Sequence, residues 1–150
     1  MKVMVMVTGT PKDEETAVPT TEMFEAMAAY NERLIKAGIM LDGAGLKPSS
    51  KAARVVFEGG KTSVVDGPFT EAKEIIGGYW IWQVDSLEEA VEWAKQCPTD
   101  PEGRYGALEI RPYAETEDFG DEYTPELREK EAQLAEELRT QRGEAGSASV

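Results

Sequence analysis

The chain has 150 residues, 41% of them hydrophobic and 30% charged, the balance of a folded protein with one main core and not of a disordered segment. Its formal net charge is -13, with 18 acidic against 12 basic residues through Tyr113 and 11 against 4 beyond it, and no run of Lys/Arg offsets that acidity, so nucleic-acid binding is disfavoured. Histidine is absent and Cys97 is the sole cysteine, which excludes His-based metal sites, Ser-His or Cys-His catalytic pairs and a disulfide within the chain.

The opening run Met1 to Val7 is apolar over too few residues for a signal sequence or a membrane span, so a cytoplasmic protein of bacterial type with no membrane association is expected. Val3 to Val7 reads as a strand, and Thr8 to Pro19, rich in Gly, Pro, Asp and Thr, reads as a loop. Thr20 or Thr21 caps a helix reaching about Ala37, with Gly38 as its stop. At 100° per residue, Met23, Phe24, Met27, Ala28, Tyr30, Leu34 and Ile35 gather on one arc, and Asn31 falls inside it.

Ile39 to Leu46 and Ala53 to Glu58 read as strands, and Gly59-Gly60 makes a two-residue turn into Lys61 to Val65. After the Asp66-Gly67-Pro68-Phe69 turn and a polar stretch comes a strand over Gly78 to Val84. Ser86 then caps a helix over Leu87 to Gln96, and Tyr105 to Arg111 supplies the last strand. That order predicts an α+β, ferredoxin-like antiparallel sheet with two helices on one face.

Val3 to Val7 and Tyr79 to Trp82 are apolar at successive positions, and successive strand side chains point to opposite faces. Both faces of the sheet therefore need cover, and two helices supply only one. A homodimer is expected, with a second copy on the other face; folding of the loops or tail over that face is the alternative. Residues 1–113 form the domain. Residues 114–142 form a C-terminal strap, anchored by Phe119 and Tyr123, and a helix capped at Thr124 with a thin stripe of Leu127, Leu134, Ala135 and Leu138. Residues 143–150 are expected to be a disordered tail.

The segment Val65-Asp66-Gly67-Pro68-Phe69-Thr70-Glu71-Ala72-Lys73-Glu74, followed by Gly77-Gly78-Tyr79-Trp80, resembles the hallmark of the YCII-related, or DGPF, domain family. Lys36-Ala37-Gly38, the stretch Gly43 to Ser50, Leu87-Glu88-Glu89-Ala90 and Ile110-Arg111-Pro112 extend the resemblance. The tail segment Glu117-Asp118-Phe119-Gly120 with Thr124 to Glu129 is similar to a subgroup with an acidic C-terminal extension. The resemblance implies a ferredoxin-like fold that pairs into a dimeric α/β barrel similar to muconolactone isomerase. For function it implies acid/base chemistry on a small molecule, as in a dehydrochlorinase-like member, and a link with extracytoplasmic-function sigma factors. The family's proposed histidine/aspartate site does not carry over: Asp66 matches the aspartate, but Lys47 stands where the subgroup often has histidine.

Asp66, at a strand end before Gly67-Pro68, is either a general base in a cleft or a turn-capping carboxylate. Lys73 and Glu71 either bring charge to it or form a solvated ion pair. Tyr30 and Asn31 put polar atoms on an apolar helix face, where the partner is a ligand or an internal acceptor or donor. Trp80 and Trp82 point the same way and either line a pocket or pack in the core. Gly43-Ala44-Gly45 lacks the following glycine and helix of a phosphate loop, and no carboxylate spacing matches a cation loop, so neither metal nor cofactor is expected. Two readings of function follow. In the first, the protein is a small-molecule-binding, lyase/isomerase-like enzyme with a cleft of Tyr30, Asn31, Asp66, Phe69, Lys73 and Trp82, and Asp66 handles the proton. In the second, it is a non-catalytic regulatory or interaction module serving a sigma factor.

Overall fold

A computed structural model describes residues 1–147, and the chain divides into two units, the first Met1–Tyr113 and the second beginning at Ala114. In the first unit the elements are β1 (Lys2–Gly9), α1 (Pro11–Thr16), α2 (Thr21–Lys36), β2 (Met40–Gly45), β3 (Ala53–Glu58), β4 (Lys61–Asp66), β5 (Ile75–Gln83), α3 (Leu87–Ala94) and β6 (Ala107–Pro112). The main sheet has the order β2-β5-β1-β6, all antiparallel, the ferredoxin-like arrangement expected from the element order. Inserted between β2 and β5, the hairpin β3-β4 forms a separate two-stranded sheet. Its turn residues Gly59 and Gly60 have φ of 57° and 72°. A two-residue turn of that hand matches the twist of the strands it joins, and two glycines adopt it without a Cβ penalty.

The segment Thr8 to Pro19 is not a loop throughout. β1 continues to Gly9, and α1 begins at Pro11 with Thr10 as its cap. Asp13 N donates to Thr10 Oγ1 at 3.2 Å while Asp13 Oδ2 accepts from Thr10 N at 3.1 Å, a reciprocal cap. Pro11 and Asp13, read as breakers, are the first and third residues of a helix, where a missing N–H and a carboxylate both help.

α2 starts where its cap predicts, with Met23 N donating to Thr20 Oγ1 at 3.3 Å. Tyr30 and Leu34 are buried and Met27 packs against the core, whereas Phe24 is 65% and Ile35 60% exposed. The sheet thus covers a narrower band than the predicted arc. α2 and α3 share one face with Val3, Val5, Trp80 and Trp82, which pair in register as Val3 with Trp82 and Val5 with Trp80. Tyr30 meets Trp80 edge-on at 6.0 Å between centroids, and Trp80 lies 6.0 Å from Trp82. Met4, Met6, Tyr79 and Ile81 occupy the opposite face and are half-buried.

In the second unit a short turn over Thr116–Phe119 precedes α4 (Pro125–Ser147). Phe119 packs on Tyr123 at 5.1 Å, and Arg128 donates to the Tyr123 carbonyl at 3.1 Å. α4 carries on past Arg142, and residues 148–150 of the expected tail lie outside the described residues. Among the described residues, no helix is long and apolar enough to cross a membrane.

Candidate functional site: two adjoining clefts

The six residues expected to share one cleft do not converge. Tyr30 OH donates to the Trp93 carbonyl at 2.8 Å, and Trp80 Nε1 donates to Asn31 Oδ1 at 2.9 Å, so both polar groups of α2 bind their own core neighbours. Trp82 is sealed in the core, and its Nε1 is the buried side-chain donor without a partner among the described residues. Asp66 is exposed at the end of β4, paired in register with Ala53, and Lys73 is exposed in the following turn. Neither lines either of the two adjoining clefts; Phe69 lines the second, beside Arg54 of the hairpin. An amide inside an apolar arc needs a partner, and the indole N–H of Trp80, brought opposite it by the fold, provides one.

The first cleft, about 510 Å³, opens at the end of β1. Its floor is apolar, from Val7 of β1, Met27 of α2, Ala94 of α3 and Leu108 of β6. A bulge lies beside it, because Val7 pairs with Gly78 but Thr8 with Ile76, leaving Gly77 unpaired at the wall. The rim is polar and comes from segments far apart in the chain: Asp13 and Glu14 of α1, and Asp100 and Arg104 of the loop after α3.

Arg104 Nε lies 2.6 Å from Asp100 Oδ2, with both side chains about three-quarters buried, and Asp100 Oδ1 accepts from Glu102 N at 2.7 Å. The Arg104 hydrogen bond, then that backbone N–H, holds the Asp100 carboxyl below the usual carboxylate range. Asp13 is likewise lowered, first by the Thr10 hydroxyl, then by the Thr10 N–H, with the Arg104 charge adding to them. Both carboxylates are therefore ionised at neutral pH. Cys97, half-buried on the wall, is pushed up to about 11 by burial, so it stays a thiol and is no nucleophile at pH 7.

These shifts set an acid limit. A depressed folded pKa contributes stability that is present above the unfolded value, near 3.8, and lost as pH falls through the lower folded value. Urea unfolding midpoints measured from pH 5 downward are expected to drop below pH 4. Asp13→Asn is expected to be less stable at pH 6 and to show a shallower decline on acidification. Parallel curves for the two proteins would contradict the Thr10 cap as a source of that pH dependence.

Glu14 separates the first cleft from the second. Ser49 N donates to Glu14 Oε1 at 2.7 Å and Ser49 Oγ to Oε2 at 2.5 Å, tying α1 to the turn Ser49–Lys51, where Ser49 is buried. The second cleft, about 450 Å³, has Glu14 and Ile75 in common with the first and is lined further by Lys47, Lys51, Arg54 and Phe69. Asp13, Glu14, Asp100 and Arg104 were not singled out from the sequence. A signal existed for the first two, since Thr10-Pro11-Lys12-Asp13 is a helix start with a residue capable of capping at each end. None existed for Asp100 and Arg104, whose approach to α1 is a product of the fold.

The family model of the YCII-related domain matches residues 1–115. An uncharacterised Rhizobium meliloti protein is 33% identical over 88 residues, which is 59% of this chain and 70% of that protein. Among solved structures, the chain is similar to 5-chloro-2-hydroxyhydroquinone dehydrochlorinase from Burkholderia phenoliruptrix in complex with 2,5-dihydroxybenzoquinone. That match has a TM-score of 0.43 and 17% identity and covers 78% of this chain and 97% of the other.

Proposed function

The chain belongs to the YCII-related domain family, and from that premise we propose that it binds a small molecule in the first cleft. One observation carries this reading: an apolar pocket of about 510 Å³ has its polar groups gathered on one rim, the usual form of a small-molecule site. Asp13, Glu14 and Asp100 outnumber Arg104 and Lys95 at that rim, and Arg104 is already paired with Asp100. A ligand with an apolar body and hydroxyl or cationic donors suits such a rim; a carboxylate there meets like charge. Proton handling falls to Asp13, which accepts from a bound donor. Its lowered pKa keeps it ionised, so it serves as a hydrogen-bond acceptor for that donor.

A thermal-shift screen of neutral hydroxylated aromatic and aliphatic metabolites tests the reading, because a ligand at one hundred times its Kd stabilises by about 2.7 kcal/mol. Ala17, exposed at the cleft mouth, is the position to plug. Stabilisation is expected in the wild type and lost in Ala17→Trp. Equal shifts in both proteins, or none in the wild type, would remove the first cleft from consideration.

The same proposal includes a homodimer, in which a second copy covers Met4, Met6, Tyr79 and Ile81. A non-catalytic module docking a sigma factor is the second reading. It is favoured by the exposed Leu127, Leu134 and Leu138 of α4, a stripe of side chains 49%, 44% and 49% exposed on an acidic segment. A screen without hits, together with partner capture that depends on those leucines, would favour it over the enzyme-like reading.

A further inference from the structure

The second cleft gathers positive charge in this acidic chain. Lys47 follows β2, Lys51 ends the turn Ser49–Lys51, and Arg54 stands on β3, and all three line one cavity of about 450 Å³. Among the described residues, none of the three forms an ion pair; the bridges present use Lys36, Lys95, Arg104, Arg111 and Arg139. Two carboxylates also line the cavity. Glu14 has both oxygens occupied by Ser49, and Glu74 accepts from Tyr105 OH at 3.5 Å. In a chain of net charge -13, three cations gathered around one cavity make a local region of positive potential that favours an anion.

Arg54 is also held in place. Its guanidinium lies over the Phe69 ring at 4.0 Å to the centroid. A guanidinium held over a ring keeps N–H donors that a planar or tetrahedral oxyanion can meet bidentately. Phe69 is placed by the turn before it, where Gly67 N donates to the Ala52 carbonyl at 2.9 Å. The aromatic ring and the Leu46, Ala72 and Ile76 side chains give the same cavity an apolar wall.

We propose that the second cleft binds the oxyanion of a small organic anion, a phosphate or a carboxylate, with Arg54 as the bidentate donor and Lys51 and Lys47 as flanking charges. This inference is independent of the ligand proposed for the first cleft, whose rim is acidic. The test is an NMR titration of the isotope-labelled full chain with inorganic phosphate in one arm and sodium benzoate in the other. Saturable shifts in Lys47, Lys51, Arg54, Phe69 and their neighbours are expected in at least one arm. Phosphate alone would identify a phosphate ligand, benzoate alone an aromatic carboxylate, and both a general oxyanion site.

Arg54→Gln with Lys51→Gln is expected to weaken binding at least on the order of tenfold, the loss for removing charged hydrogen-bond donors. Arg111→Gln, on the far strand β6 and paired with Glu109, is expected to leave it unchanged. Because Arg54 also packs on Phe69, Lys51→Gln alone, at an exposed position with no packing role, repeats the test without disturbing the hairpin. Shifts that rise linearly without saturation in both arms, or an affinity unmoved by Lys51→Gln and by the double change, would overturn the proposal.

Discussion

Replacing Gly67 by alanine is expected to destabilise the first unit by about 3 kcal/mol or more. A Cβ at Gly67 would lie 1.7 Å from the Ser49 carbonyl oxygen, 2.7 Å from the Ser49 carbonyl carbon and 3.3 Å from the Ala52 oxygen. All three are backbone atoms, so no rotamer change relieves the contact and the two turns must move apart. Separation costs the Gly67 N to Ala52 O bond and shifts Ser49, which is buried and anchors both oxygens of Glu14. The expected result is a lower urea midpoint together with loss of the second cleft's shape, read as lost phosphate or benzoate shifts. Unchanged stability in Gly67→Ala would mean that the turns are not packed as described. The Asp66-Gly67-Pro68-Phe69 signature is thus accounted for in part by packing: the glycine admits the neighbouring backbone, and the phenylalanine carries Arg54.

Ile81→Asp is expected to convert the proposed dimer into a monomer, weakening association at least on the order of a hundredfold, about 2.7 kcal/mol. In register, Met4 lies opposite Ile81 and Met6 opposite Tyr79, so the two central strands present four apolar side chains as one block. Glu109 and Arg111 on β6 and Asp42 on β2 border it, by pairing with Met6, Met4 and Ile81. An apolar centre with a charged border is the pattern of a self-complementary interface, and in a two-fold dimer each substitution acts twice. A carboxylate at the centre would be desolvated without a partner, which costs more than the methyl groups lost. Sedimentation at micromolar concentration measures the change, and an unaltered circular dichroism spectrum shows that the sheet has survived. A wild-type chain that sediments as a monomer would discard the dimer and with it the paired barrel.

Much of the fold was legible in the sequence because its signals are local. Thr20, Ser86 and Thr124 each sit one residue before a helix and accept, or are placed to accept, its first N–H groups. Gly59-Gly60 sets a hairpin by its own backbone freedom, and consecutive apolar residues in β1 and β5 mark strands central to a sheet. α1 is hidden in the sequence because Pro11 and Asp13 end helices in mid-sequence and begin them at the first turn, and composition alone does not separate those positions.

The candidate sites were much less legible, for a physical reason. Asn31 and Tyr30 were conspicuous as polar residues on an apolar face, but whether a ligand or the protein itself answers them depends on what stands opposite. Trp80 Nε1 and the Trp93 carbonyl lie there, 49 and 63 positions away in the chain. Arg104 reaches the rim beside Asp13 because β6 begins opposite the end of β1, with Ala107 paired to Thr8, and Lys47, Lys51 and Arg54 surround one cavity only because the turn at Gly67 packs against Ser49. Periodicity, caps and turns act over a few residues, and by themselves they determined the α+β class, the central strands and the two-sided sheet. The position of the two clefts, the acidic character of one and the basic character of the other are products of long-range packing, so only the tertiary structure decided them.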